Sequence, residues 1–325
     1  MPAPGAKPGS SPDAVSVLAL SGGIGGAKLA LGLQGALAPG ALTVIVNTGD
    51  DFEHLGLAIC PDVDTTLYTL AGIANPDLGW GRADETWVCM QELERLGVES
   101  WFRLGDKDLA VHIERTRRLA AGDTLDEIVG DLARRFGIAS RVLPMTNDRV
   151  RTVVDTDEGT LAFQQYFVRL RCEPAIRAIR CEGATEARPS LRAADLLRAD
   201  VVIICPSNPY LSIEPILAIP GWRSALETCE APVVAVSPLI GGAAVKGPTA
   251  KIMRELSIEV SPLAIARHYE SIIDGFVLDS ADQALAARFD VPLLVTNTLM
   301  RTVEDKQRLA REVLEFATTL RRRGS

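Results

Sequence analysis

Short, uniformly apolar runs alternate with helix-spaced stretches toward both ends of the chain. Residues 15–20 (VSVLAL) read as a buried strand that passes straight into Ser21-Gly22-Gly23-Ile24-Gly25-Gly26. Residues 27–37 (AKLALGLQGAL) then carry apolar side chains at helical spacing, and Leu42–Val46 (LTVIV) predicts a second strand running into Asn47-Thr48-Gly49-Asp50-Asp51. Strand, glycine loop, helix, strand is a βαβ unit, and strands apolar on both faces suit a parallel sheet covered by helices on both sides. The same grammar returns late. Residues 196–200 close a helix, Val201–Ile204 (VVII) runs into Cys205-Pro206-Ser207-Asn208-Pro209, and Val233–Val236 ends in Ser237-Pro238. Residues 276–278 and 293–295 predict two further strands. Residues 303–320 predict an amphipathic helix whose trailing Arg321-Arg322-Arg323 suits the negative end of a helix dipole.

The middle reads differently. Residues 108–136 predict helix, with a cap signal at 123–126 (DTLD). Residues 150–154 and 160–167 flank Asp155-Thr156-Asp157-Glu158-Gly159 as a hairpin would, and residues 175–180 alternate apolar and basic like a half-exposed strand. The expected fold is α/β, a doubly wound, mostly parallel Rossmann-like sheet. It forms a single domain over residues 14–325 with an α/β insertion at roughly 108–190, after a loose Pro/Gly/Ser-rich tail over 1–13.

Composition narrows the function classes. A chain of 325 residues that is 47% hydrophobic can bury a large core, which excludes a disordered protein. The excess of 42 acidic over 34 basic residues opposes a polymeric nucleic acid as partner but not a single nucleotide. The six cysteines include no C-x-x-C pair, so free thiols in a reducing compartment are expected. The tail has no apolar core like that of a signal peptide, and the apolar window 231–245 is broken by Pro238 and Gly241-Gly242. The expected location is the cytoplasm.

Ligands of open α/β sheets sit outside the carboxyl ends of the strands, and the polar clusters of this sequence fall there. Gly22, Gly23, Gly25 and Gly26 would let backbone approach a phosphate at a helix N-terminus, or merely permit a tight strand-to-helix turn. The loop is not a Walker A motif, since Leu29 follows Lys28 where Ser or Thr belongs, and Lys28 occupies the third glycine position of a dinucleotide fingerprint. Asp50, Asp51, Asp62 and Asp64 cluster after the second strand. Helix capping accounts for one of them, and a hard cation such as Mg²⁺ would offset the repulsion among all four. Asp108 and His112 share a face if a helix starts at Asp108, either as a capped helix with a solvent-facing histidine or as a functional pair. The three histidines lack the spacing of a zinc pair. Ser207 and Asn208 can bond a base or ribose, while Lys246 and Gly247 after the Ser237–Gly242 stretch offer a cation and backbone donors to phosphate. Trp80 and Trp87 offer flat surfaces for a planar heterocycle, Trp80 being the better placed beside Gly79 and Gly81.

Together the stretches SGGIGGAK, NTGDD, CPDVDTTLYTL, GWG, ETW, RLGDKDLAVHI, LPMTND, PSNPYLSIEPIL and SPLIGGAAVKGP resemble the 2-phospho-L-lactate transferase family (CofD, or FbiA in actinobacteria), over nearly the whole chain. That resemblance implies a Mg²⁺-dependent transferase of coenzyme F-420 biosynthesis, usually a homodimer. It would move a phosphorylated three-carbon acid (phospholactate, phosphoenolpyruvate or phosphoglycerate type) from its guanosine diphosphate ester to the ribityl hydroxyl of a deazaflavin alcohol, 7,8-didemethyl-8-hydroxy-5-deazariboflavin, releasing GMP. On this reading Asp50 and Asp64, with Asp62, hold the metal, and Asp51 or Asp62 orients it or the attacking hydroxyl. Gly22 to Gly26, Ser207, Asn208, Lys246 and Gly247 cradle the guanosine diphosphate, and Trp80, Arg103 and Asp106 lie near the deazaflavin. Asp64→Asn is then expected to be folded and inactive. The alternatives are an NAD(P)-dependent oxidoreductase using the glycine loop, with Asp50 as ribose acid, and a non-catalytic nucleotide-sugar-binding protein of the YvcK-like group, which shares that loop.

Overall fold

A strand apolar on both faces is stable only inside a covered sheet, and the apolar runs of this chain pair with one another accordingly. The computed structural model describes residues 15–191, 199–244 and 247–320. Its central sheet contains β1 (Val17–Ser21), β2 (Leu42–Val46), β3 (Arg141–Pro144), β4 (Val201–Ile204), β5 (Val233–Val236), β6 (Gly275–Asp279) and β7 (Leu293–Thr296). The spatial order is β7-β6-β5-β4-β1-β2-β3, with every pairing parallel. This is the doubly wound α/β order, in which the chain reverses direction of travel between β1 and β4.

Alternate residues of each strand feed two cores. Leu18, Leu20, Ile204 and Phe276 pack on one face with Trp222, Leu226 and Ile265. Val17, Ala19, Ile203 and Val277 pack on the other against α1 (Gly23–Ala36) and α4 (Val303–Thr319). The close approach of α1 and α4 requires Gly32, where a Cβ would strike the backbone of Lys306.

Several local expectations are corrected. The helix expected from residue 27 begins at Gly23, so most of the glycine loop is the first turn of α1. The 108–136 helix is two: α3 (Asp106–Ala120) and Leu125–Arg135. They break at Gly122 (φ +99°), and the Thr124 N–H is held by Glu127 Oε2 at 2.9 Å in a capping box. Of the strand expected at 160–167 only Gly159–Ala162 pairs, because residues 165–169 wind into a helical turn closed from Leu170 N–H to Gln165 O (2.9 Å). With Arg151–Thr156 and Ile176–Glu182 the short strand makes a three-stranded antiparallel sheet. Strand β3 was not anticipated; it is four residues long, ends in Pro144 and sits at the sheet edge, where a missing N–H is tolerated. Residues 1–13, most of the helix expected at 196–200, Lys246 and Arg321 to Arg323 lie outside the described residues. Among the described residues no helix is long and apolar enough to cross a membrane.

A methyl group separates the glycines that the fold requires from those it tolerates. At Gly25 a Cβ would drive into the carbonyl oxygen of Pro206, whereas at Gly130, in the helix Leu125–Arg135, it meets nothing within 4 Å. Gly25→Ala is expected to cost about 1–3 kcal/mol in denaturant unfolding, while Gly130→Ala should stabilise by about 0.5–1 kcal/mol.

Candidate active site

Where the sheet order reverses, the loops leaving β1 and β4 diverge and open a crevice. A cleft of about 500 Å³ lies there, lined by Gly22, Gly23 and Gly25 from the first βα turn and by Pro206, Ser207 and Asn208 after β4. The two walls are tied: the Gly22 N–H donates to Ser207 Oγ at 3.1 Å. Gly23 adopts φ +62°, and a Cβ on Gly26 would collide with the hydroxyls of Ser21 and Ser207. These glycines therefore let α1 press its N-terminus against the segment after β4, leaving its first N–H groups beside the cleft.

Asn47, at the end of β2, fastens three elements. Its side-chain amide donates to Asp62 Oδ2 (2.9 Å) and to Leu211 O (3.2 Å), and its oxygen accepts from Gly49 N–H (2.8 Å). Asp62 and Asp64 both stand in the first turn of α2 (Pro61–Leu70), whose start is fixed by Pro61. One helical turn presents them in two directions, Asp62 toward the glycine loop and Asp64 toward α3.

The acidic residues thereby divide into two sets with opposite electrostatics. Asp64 is gripped on both carboxylate oxygens by Arg115, a fully buried guanidinium on α3. Burial opposes that cation, but Asp64 more than compensates and raises the Arg115 pKa. Arg115 Nη1 also reaches His112 Nδ1 (3.1 Å), and His112 Nε2 lies 3.3 Å from Asp108 Oδ1, which accepts the Tyr68 hydroxyl at 2.5 Å. Burial pushes the Asp108 carboxyl up, yet its contacts with His112 and Tyr68 outweigh this and leave its pKa lowered. Asp64, Asp108 and His112 are close enough together to ligate a metal. The Arg115 guanidinium already supplies the positive charge there and would repel a second one.

Asp50, Asp51 and Asp62 have no such partner. Burial, then repulsion from Asp62, raises the Asp50 pKa well above the usual carboxylate range; bonds from Thr152 and Asn47 offset part of it. Burial likewise raises Asp62 against the bonds from Asn47 and Gly23, and the adjacent pair cannot easily carry two charges. Asp51 is pushed up to about 7 by burial, with Cys60, Arg151 and Arg115 pulling the other way. Asp50 Oδ1 and Asp51 Oδ1 are buried without a hydrogen-bond partner. Among the described residues these three carboxylates do not close into a three-ligand group, so a hard divalent cation here would rest on one or two of them and complete its shell with water and ligand oxygens.

Of the residues expected from sequence, the cleft brings together Gly22, Gly23, Gly25, Asp50, Asp62, Asp64, Trp80, Arg103, Ser207, Asn208 and Gly247. Gly26 and Asp51 stand behind its lining, and Lys246 lies outside the described residues. Asp106, expected near a flavin, instead caps the helix Val88–Arg95, accepting from Val88 N–H (3.1 Å), Cys89 N–H (3.0 Å) and the Thr86 hydroxyl (2.6 Å). Asn208 spends its side chain on the fold: its oxygen accepts from Tyr210 and Leu211 N–H, and its amide donates to Thr249 Oγ1 (3.1 Å). Arg103 stacks over Trp87, 4.7 Å from the ring centroid, and Trp80 is 44% exposed at the cleft. His112, taken either way from sequence, is 1% exposed and faces the cleft.

Sequence reasoning missed Arg115, Tyr68, and Phe163, Gln164 and Phe167, which the small antiparallel sheet and its helical turn send into the cleft. The spacing Asp108, His112, Arg115 on one helix face carried a signal, since i, i+4 and i+3 steps align them; nothing local marked Phe163 or Phe167. Two helical turns with i→i+5 bonds, Pro209–Ile213 and Gln165–Arg169, both contribute to the lining. Such wide turns recur at functional sites.

A sequence model of the family described as 2-phospho-L-lactate transferase CofD matches residues 17–312. The chain is 43% identical over 321 residues to a phosphoenolpyruvate transferase of Kitasatospora aureofaciens, covering 94% of this chain and 98% of that one. It is 45% identical over 306 residues to a 2-phospho-L-lactate transferase of Methanopyrus kandleri, covering 93% and 97%. In fold it is similar to a solved protein of the UPF0052 family from Bacillus halodurans, with TM-score 0.61 at 14% identity over 94% of this chain and all (100%) of that one.

The buried acids make stability depend on pH. Asp51 keeps its proton in the folded, metal-free chain up to about pH 7, whereas the unfolded chain releases it near pH 4. The native state binds more protons in that window, so this contribution to stability declines as pH rises through it. Melting curves from pH 4 to 8 should show a shallower decline for Asp51→Asn than for the parent. The Arg115 pairing also revises the expectation for Asp64→Asn, which strands a buried guanidinium and should cost about 3–5 kcal/mol in unfolding.

Proposed function

The chain belongs to the 2-phospho-L-lactate transferase CofD family, and from that membership and the cleft we propose that it joins a deazaflavin alcohol to a phosphorylated three-carbon acid delivered as a guanosine diphosphate ester. The transferase class, of phospholactate or phosphoenolpyruvate type, follows from the family itself. Donor, acceptor, metal and leaving group are our reading. The observation that carries it is the adjacency of an α-helix N-terminus opened by glycines and a set of uncompensated buried carboxylates, Asp50 and Asp62, in one cleft.

A diphosphate ester needs two things from such a site: donors for its oxygens and neutralisation of its charge. The N–H groups at the start of α1 provide the first, and Lys28, also at the cleft, adds a cation one turn further on. Asp50 and Asp62 fit a Mg²⁺ ion, because their burial and mutual repulsion leave them short of positive charge and Asp50 Oδ1 lacks any partner. Bound there, the ion would neutralise charge on the diphosphate. Asp51, set behind the lining, adds its repulsion to the negative charge around Asp50. The alcohol oxygen then attacks the phosphorus that bears the acid; that P–O bond forms as the bond to the bridging oxygen breaks, GMP departs with the electron pair, and the proton of the alcohol passes to solvent. Positioning dominates such a transfer, and the exposed face of Trp80 offers the planar ring a stacking surface.

The test is incubation of the chain with the deazaflavin alcohol, Mg²⁺ and, separately, the phospholactate, phosphoenolpyruvate and phosphoglycerate esters of guanosine diphosphate. GMP release and a product of summed mass are expected with at least one ester. Asp50→Asn and Asp62→Asn should each lower turnover by about 100-fold or more, and chelation of the metal should do the same. Absence of GMP with all three esters, or full turnover by both variants, overturns this reading.

A further inference from the structure

One polar pair in the cleft is left without a task by the reaction just described. His112 is 1% exposed and lines the cleft on the α3 side, where Tyr68, Trp80, Phe102 and Asp108 also face it. Its protonation pattern follows from its neighbours. Arginine is only a donor, so the 3.1 Å contact from Arg115 Nη1 makes His112 Nδ1 an acceptor and leaves the ring proton on Nε2. That Nε2–H is buried and has one acceptor within reach, Asp108 Oδ1 at 3.3 Å, a long contact that leaves room for a closer partner. A donor and a carboxylate acceptor thus lie side by side at one wall.

We propose that the His112 Nε2–H and the Asp108 carboxylate together bind a hydroxyl group of the acceptor substrate, with Arg115 as the positioning residue that fixes the histidine. An alcohol is the group that matches: it accepts from Nε2–H and donates to the carboxylate at the same time. A cation matches poorly, because Arg115 already neutralises Asp64 on the other side of the ring. The arrangement separates the cleft into a side for the phosphates, beside Gly22 and Ser207, and a side for a hydroxylated acceptor, beside His112. A site built to bond a hydroxyl rejects the analogue that lacks it, since its own polar groups are then left unpaired. This rests on the deazaflavin alcohol being the acceptor, and it adds the residues that select for the alcohol.

The experiment compares binding of the deazaflavin alcohol with that of a deazaflavin carrying a plain alkyl chain, by fluorescence titration of the full chain. The parent should prefer the alcohol by about tenfold or more. His112→Leu and Asp108→Ala should erase that preference by weakening the alcohol alone, and His112→Gln, which restores a donor near the Nε2 position, should recover part of it. Unchanged affinity for guanosine diphosphate and unchanged melting temperature show that a variant is folded; His112→Phe and Asp108→Leu stand in if the first pair is not. A preference that survives in the variants lacking the donor or the carboxylate, or equal weakening of both ligands, overturns the proposal alone. A parent that binds neither deazaflavin overturns the acceptor reading and the proposal with it.

Discussion

Asp64 and Arg115 meet out of water as a two-pronged ion pair, and the layout of the cleft depends on that contact. A carboxylate moved from water into a protein interior loses solvation that only a close, well-oriented cation can replace. The first turn of α2 sends two such carboxylates inward. Arg115 compensates one, anchoring α2 to α3 and setting His112 between Asp64 and Asp108. The other, Asp62, is left facing Asp50 with only amide donors around it. The chain thus builds an electrically settled wall beside an unsettled floor. Positive charge brought by a ligand is favoured at the floor and resisted at the wall.

The architecture was readable because parallel strands of a covered sheet leave a strong mark, a short run of mostly apolar residues, and six of the seven central strands carry it. The seventh, RVLP at the sheet edge, does not, since an edge strand needs neither length nor uniform apolarity. The glycine loop was placed correctly at the end of β1 but read as loop where it is helix. Its glycines answer to packing against Pro206 and Ser207, which lie far away in sequence. The acidic set was visible as a cluster, yet its division was not. The local sequence gives Asp62 and Asp64 equivalent positions in one turn, and only the long-range arrival of Arg115 makes them differ. The capping task of Asp106 was hidden for a related reason: a carboxylate at a helix start can cap its own helix or a neighbour's, and the neighbour lies some 20 residues away.

The cleft is therefore less a property of its motifs than of the backbone approaches that join them. Asn47, a residue with no charge, fastens the ends of β2, α2 and the wide turn after β4. Asn208, which could equally have offered its amide to a ligand, holds that same turn and the segment at Thr249. Side chains that look like ligands in a sequence are here partly scaffolding for the ones that face the cavity.

The ties across the cleft span long stretches of chain: Gly22 is bound to Ser207, 185 residues away, and Lys28 Nζ reaches the carbonyl of Met300, 272 residues away. The first strand is also a middle strand, lying between β2 and β4, and the first helix packs on the last through Gly32 and Lys306. During synthesis the N-terminal strand leaves the ribosome long before its second neighbour exists, so it must wait with one edge unpaired. Such distant pairings slow folding and delay closure of the site until α4 has been made. The dependence of the first segment on the last makes the site all-or-none with respect to chain length: a product truncated before α4 lacks the partner for the outer face of α1, and so loses the support of the helix that opens the cleft.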